Sequence, residues 1–143
     1  MNRIMAIDLG TKRIGIAVSD LLGLTAQPAT VLEKKADGSE LDDLAKLIDE
    51  YGNVSELLVG LPKTLKGEEG PAAQNARSFA EQLKERFKLK VTLWDERLTT
   101  AAATKFLISA GVSRADRKKV IDKSAAAGIL QNYLDRLGKR ERT

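Results

Sequence analysis

Three carboxylates stand where they could share one site. Asp8 ends the first apolar run of MAIDLGTKRIGIAVSD (5–20), Glu96 closes KVTLWDE (90–96) beside Asp95, and Asp122 sits within VIDKSAAAGIL (120–130). The 143-residue chain has no His and no Cys. That removes Ser-His-Asp triads, histidine acid–base catalysis, thiolate nucleophiles and nearly all zinc hydrolase sites. Carboxylates, Lys, Arg, hydroxyls and backbone remain. The simplest powerful catalyst built from that set is a hard, oxygen-binding cation, Mg2+ or Mn2+, held by Asp and Glu.

Each acid also has a plainer role open to it. Asp8 could accept hydrogen bonds from its own turn, and Asp122 could favour the positive end of a helix. Of Asp95 and Glu96, the pattern leaves open which one faces inward. Asp20, at the end of the second strand, reads as structural. At helical spacing Asp122 shares a face with Ala125, Ala126, Ile129 and Tyr133, the face such a helix buries. A carboxylate there is costly unless it is paired or metal-bound. The alanines let the helix lie close to the sheet, with Asp122 near the strand ends.

Stepping along the chain, Arg3–Asp8 and Ile14–Ser19 read as a β-hairpin, the second strand alternating Ile14, Ile16 and Val18 with small residues. A third strand is expected near Thr30–Glu33, after Pro28. Ser39 is expected to cap a helix through Leu41, Leu44, Ala45, Ile48 and Tyr51, with Asp42 completing a weak capping box. ELLVG (56–60) is a short buried strand. After the loop LPKTLKGEEGP, Pro71 opens a helix with Ala76, Phe79, Ala80, Leu83 and Phe87 on its core stripe. The strand 90–96 follows, then an Ala-rich helix from Thr99 or Thr100 to about Ala110. A basic connector, GVSRADRKK, leads to a helix from about Val120 to Leu137. The order βββαβαβαα is a mixed α/β sheet. Asp8 and Glu96 then fall at the C-terminal strand ends, the usual ligand-binding edge.

The composition, 43% hydrophobic and 31% charged, is that of one globular domain able to bury roughly two-thirds of its unfolded surface. No apolar stretch approaches the roughly 20 residues of a membrane span, and the N-terminus lacks a signal-peptide layout. A cytoplasmic protein with no membrane partner is the expectation. Charge is uneven: Gly111 to Thr143 holds 9 basic and 4 acidic residues, a balance of +5 in a chain of net +4. A basic end on a near-neutral body suggests a polyanionic partner, against the plainer reading of a solvated helix with a frayed tail. Thr11, Lys12 and Arg13 in the first turn, with Arg97, flank two of the acids and could position a phosphate backbone. Arg114, Arg117, Lys118 and Lys119 could line the approach to Asp122. Trp94 reads as core, Arg77 as a helix-surface charge, and the loop around Gly67 and Gly70 as either a surface loop or a lid.

Four segments, AIDLGTKRIGIAVSD, VGLPKTLKGEEGPAAQNARSFAEQL, WDERLTTAAA and IDKSAAAGILQNYL, together resemble the YqgF family, also called RuvX. These are bacterial proteins of the RuvC-like group in the ribonuclease H-like superfamily, and the resemblance covers essentially the whole chain. It implies a ribonuclease H-like α/β fold: a mixed five-stranded sheet, three antiparallel strands then two parallel, flanked by helices. It further implies a single nuclease domain over 1–138 with a basic tail at 139–143. The implied activity is metal-dependent hydrolysis of structured nucleic acid, in 5′-end maturation of pre-16S rRNA during ribosome biogenesis. Structured RNA is the implied partner, with branched DNA and Holliday-junction resolution as the alternative, and a weak homodimer as a further expectation. The family's acidic positions carry over onto Asp8, Glu96 and Asp122, as catalytic residues and ligands of Mg2+ or Mn2+. One departure stands out. RuvC-like proteins place an acid near the end of the fourth strand and another one turn along the last helix. Here those positions are Gly60-Leu61-Pro62 and Ala125, so three acids replace four. Two rivals remain: a non-catalytic nucleic-acid-binding or ribosome-assembly factor, and a nucleotide-phosphate hairpin of the actin-like ATPase type. The second needs two lobes, more than this length allows.

Overall fold

The apolar runs pair into a single sheet, which the computed structural model describes over residues 2–64, 66–96 and 125–138. In chain order the elements are β1 (Arg3–Leu9), β2 (Arg13–Ser19), β3 (Ala26–Glu33), α1 (Glu40–Tyr51), β4 (Val54–Leu61), α2 (Pro71–Phe87) and β5 (Lys90–Asp95). Residues 125–138 are helical. The sheet order is β3-β2-β1-β4-β5. The first three strands are antiparallel neighbours, whereas β4 lies parallel to β1 and β5 parallel to β4.

Because successive side chains of a strand point to opposite faces, β1 feeds two cores. Met5 and Ile7 join Ile14, Ile16, Leu57 and Val59 on one face, under Leu44 of α1 and Ala73, Ala76, Phe79, Ala80 and Leu83 of α2. Ala6 joins Ala17 and Leu58 on the other, under Ala126, Ile129, Leu130, Tyr133 and Leu134. Small residues at 6 and 17 let the 125–138 helix approach the sheet closely, as the alternation of the second strand foretold.

Polar contacts fix that helix in place. Glu56 is buried, and its Oε2 accepts hydrogen bonds from Tyr133 Oη (2.6 Å) and Thr92 Oγ1 (2.8 Å). Trp94 meets the Tyr133 ring edge-on at 5.1 Å and donates its indole N–H to Asn132 Oδ1 at 3.0 Å. At the other side of the sheet, Gln131 Oε1 accepts from the Ala26 amide (2.9 Å) while its Nε2 donates to the Leu24 carbonyl (3.1 Å). Trp94 is therefore a packing residue, as its position suggested.

Two expectations change. The third strand begins at Ala26, not Thr30, so Pro28 lies inside it. An edge strand tolerates this because a missing N–H costs no ladder bond on the open side; the pairing with β2 also shifts register between Ile16 and Ala17, beside Pro28. The capping box at Ser39 does not form. Ser39 makes no side-chain cap bond, and its own N–H donates to Asp37 Oδ1 at 3.0 Å. Glu40, Asp42 and Asp43 in the first turn supply negative charge at the helix start instead. The helix expected from Thr99 or Thr100 to Ala110 and the start of the last helix, 120–124, lie outside the described residues. Among the described residues no helix is long and apolar enough to cross a membrane.

Replacing Tyr133 by Phe keeps the ring and removes a hydrogen bond to a buried carboxylate. Such bonds are worth about 2 kcal/mol. Urea unfolding is expected to show a loss of that size for Tyr133→Phe with an unchanged slope; a variant as stable as wild type would remove Glu56–Tyr133 as the helix anchor.

Candidate active site

The parallel pairing carries β1, β4 and β5 to the same edge of the sheet. Ile7 pairs with Val59, so one residue further on Asp8 lies beside Gly60. Gly60 pairs in turn with Trp94, and Leu61 with Asp95. On its other side Asp8 pairs with Gly15 of β2. Asp8 points to the face of Ala6, beneath the layer of the 125–138 helix, and leaves Leu9 to the opposite core.

Glu96 follows the last residue of β5, its amide donating to the Leu61 carbonyl at 3.4 Å. Its side chain turns back to the sheet and hydrogen-bonds Asp8. The question of which acid faces inward is settled by strand alternation: Asp95 shares the face of Val91 and Leu93, towards α2, and Glu96 shares that of Trp94.

The environment explains the protonation of the pair. The Glu96 carboxyl is pushed up to about 8, first by burial, then by the negative charge of Asp8, by donating a hydrogen bond to Asp8, and last by the charge of Asp95. Two half-buried carboxyls in contact cannot both ionise cheaply, so Glu96 keeps its proton to higher pH than a free carboxyl does. A divalent cation relieves the same repulsion that the proton relieves. The oxygen-only donor set suits a hard ion such as Mg2+ or Mn2+. The Glu96 carboxyl lies over the bare backbone of Gly60, where a built Cβ would meet its Oε2.

The turn after Asp8 is closed by the Gly10 amide donating to the Arg13 carbonyl at 2.8 Å. A Cβ at Gly10 would stand 2.7 Å from that carbonyl oxygen, so the tightness of this turn requires glycine. It exposes Thr11 and Lys12 and starts β2 with Arg13, paired in register with Glu33. These three expected phosphate-positioning residues therefore lie in the turn that follows β1 and at the start of β2. Arg97, Arg114, Arg117, Lys118, Lys119 and Asp122 lie outside the described residues, as do 139–143. Among the described residues no group of three His, Cys, Asp or Glu assembles.

Three other residues have structural work. Asp20 Oδ1 accepts from the Leu24 (2.8 Å) and Thr25 (3.3 Å) amides, which hold its carboxyl below the usual range, at the end of β2 away from Asp8. Arg77 grips Glu69 through Nε (2.6 Å) and Nη2 (2.7 Å), tying the loop before α2 to the helix. The Glu56 network was not foreseen, since an acid inside a short apolar strand carries no sign of its partners. Gly60 was noted only as a missing acid.

A family profile described as RuvX, Holliday junction resolvase, matches residues 2–136. A Clostridium botulinum protein described as a candidate pre-16S rRNA nuclease is 44% identical over 137 residues, spanning 96% of this chain and 99% of its own. A Clostridium kluyveri protein with the same description is also 44% identical, with the same coverage. Among solved structures, Thermus thermophilus RuvC bound to a Holliday junction aligns with a TM-score of 0.57 at 12% identity, over 96% of this chain and 97% of that one. The fowlpox virus resolvase with its junction DNA aligns at 0.59 and 14%, over 94% and 98%. At such identities these two likenesses establish the fold, which is ribonuclease H-like.

A carboxyl whose pKa is higher in the folded chain, about 8, than its unfolded value of 4.5 contributes stability that is complete below the lower value and lost as pH rises through the upper. In EDTA, melting temperature is therefore expected to fall more steeply for wild type than for Glu96→Gln between about pH 5 and about pH 9. Scanning fluorimetry across that range tests it, and parallel curves would refute the buried pair.

Proposed function

The chain belongs to the RuvX family, and we propose that it is a nuclease hydrolysing phosphodiester bonds in structured nucleic acid, acting on the 5′ end of pre-16S rRNA. The observation that carries this reading is the hydrogen-bonded pair Asp8–Glu96 at the C-terminal edge of the sheet, in a chain without His or Cys. Those two carboxyls fit a divalent cation, Mg2+ or Mn2+, and Asp122 is the third ligand in this reading. A cation bound there supplies charge neutralisation at the phosphate and a lower pKa for water.

The chain's own residues do the rest. Asp8 and Glu96 would hold the cation through their carboxylate oxygens, half-buried at the sheet edge where charge acts more strongly than at an open surface. Thr11 and Lys12, exposed on the tight turn, with Arg13 behind them, orient the phosphate backbone over the pair. Arg97, Arg114, Arg117, Lys118 and Lys119 extend that cationic track. The domain is taken as 1–138, with the basic 139–143 adding general affinity for polyanions. A cytoplasmic location goes with that substrate in this reading.

Branched DNA is the second substrate reading, favoured by the description of the family. It asks for a homodimer, because a four-way junction is cut symmetrically, whereas an rRNA end asks for one copy.

Cleavage of a pre-16S 5′-end RNA and a synthetic four-way junction, side by side with Mn2+, separates the two. Asp8→Asn is expected to lower the rate on the true substrate by on the order of 10³-fold, with the fold kept, a melting temperature no lower than wild type and comparable nucleic-acid binding. Binding should weaken steeply as salt rises. A variant cleaving at the wild-type rate sinks the assignment; a wild type that binds RNA and cuts neither substrate leaves a non-catalytic assembly factor.

A further inference from the structure

We infer that Gly60 is the positioning residue of the acidic pair: its bare backbone is the floor across which Glu96 reaches Asp8. The inference rests on the reading of these acids as a cation-binding pair, and concerns how this chain assembles it.

The constraint is strand spacing. Neighbouring strands lie about 4.8 Å apart, so β1 and β5, separated by β4, are about 10 Å apart. An aspartate on one and a glutamate just beyond the other can touch only above the strand between them. The residue of β4 in the Asp8 row, on the same face, is Gly60. A Cβ there would occupy the place of the Glu96 carboxyl, meeting Oε2 and lying 3.4 Å from Cδ. It would also come within 2.8 Å of Ile129 Cδ1 on the covering helix. Any side chain at 60 therefore stands between the two acids. The glycine's φ is not in the left-handed region, so room for a neighbour, and not backbone freedom, accounts for it.

The same geometry gives Glu96 a particular task. Its longer side chain crosses the middle strand and delivers a carboxyl there, where the strand itself carries none. Aspartate at 96, one methylene shorter, reaches less far. Gly60 touches no substrate in this account; it acts through Glu96.

Calorimetric titration with Mn2+ tests it on wild type, Gly60→Ala, Glu96→Gln and the double variant Gly60→Ala/Glu96→Gln. Gly60→Ala is expected to weaken Mn2+ binding by about tenfold or more, the range seen when a residue supporting a ligand is changed. The double variant should bind no worse than Glu96→Gln, because both changes remove one contribution. Independent, additive losses would overturn the inference, as would a Gly60→Ala protein binding within about twofold of wild type. To separate the acid from the apolar neighbour, Gly60→Ala/Ile129→Val removes the crowded methyl and should stay weak in Mn2+ binding; recovery of affinity would assign the effect to Ile129. Should wild type bind no Mn2+, the cation reading fails, and a crystal structure of Gly60→Ala decides the positioning alone. Glu96 turned away from Asp8 upholds it, and Glu96 still bonded to Asp8 overturns it.

Discussion

A strand covered by helices on both sides has no face left for water, and β1 is such a strand. Its alternating residues enter two separate cores, Met5 and Ile7 on the α1–α2 side and Ala6 beneath the 125–138 helix. Everything else is arranged around keeping both sides dry. β4, parallel to β1, supplies Leu57 and Val59 to one core and Leu58 to the other. The price of that dryness falls on polar groups, so the buried Glu56 is satisfied by hydrogen bonds from Tyr133 and Thr92 and an ion pair with Lys90. Those same bonds hold the covering helix on the sheet.

Asp8 is the next residue in the Ala6 row, half-buried at the rim of that core. Burial, together with the charge of Asp8, is what raises the pKa of the neighbouring Glu96 carboxyl. The scaffold stabilises this arrangement by making the surrounding elements stable without it. The result is a place where positive charge, whether a proton or a cation, binds with more effect than at the surface. Function and folding pull in opposite directions at this point, as is usual where charge is concentrated for chemistry.

Glycine serves the site in two physically different ways. Gly10 allows the backbone of a four-residue turn to close on the Arg13 carbonyl, which leaves Thr11 and Lys12 exposed just after β1. Gly60 allows side chains from strands on either side to meet above it. The first is a demand of local backbone geometry, the second a demand of tertiary neighbours. Only the first belongs to a recognisable turn motif.

The sequence by itself determined the order of the elements from β1 to β5, the mixed sheet, and that acids close β1 and β5, because period-2 alternation, turn residues and missing His and Cys are local facts. It also showed that the alanines of the last helix would let it lie close to the sheet. It did not determine which of Asp95 and Glu96 faces inward, since a one-residue change in where a strand ends reverses the answer. Nor did it reveal the partners of Glu56, which lie 36 and 77 residues away at Thr92 and Tyr133. The Ser39 capping box failed for a similar reason: Asp37, two residues upstream, took the Ser39 amide and left the helix start to its acidic first turn. Gly60 looked like a gap in an acidic motif. Only the strand order β1-β4-β5 puts it between Asp8 and Glu96, and turns an absent side chain into the space where two carboxyls meet.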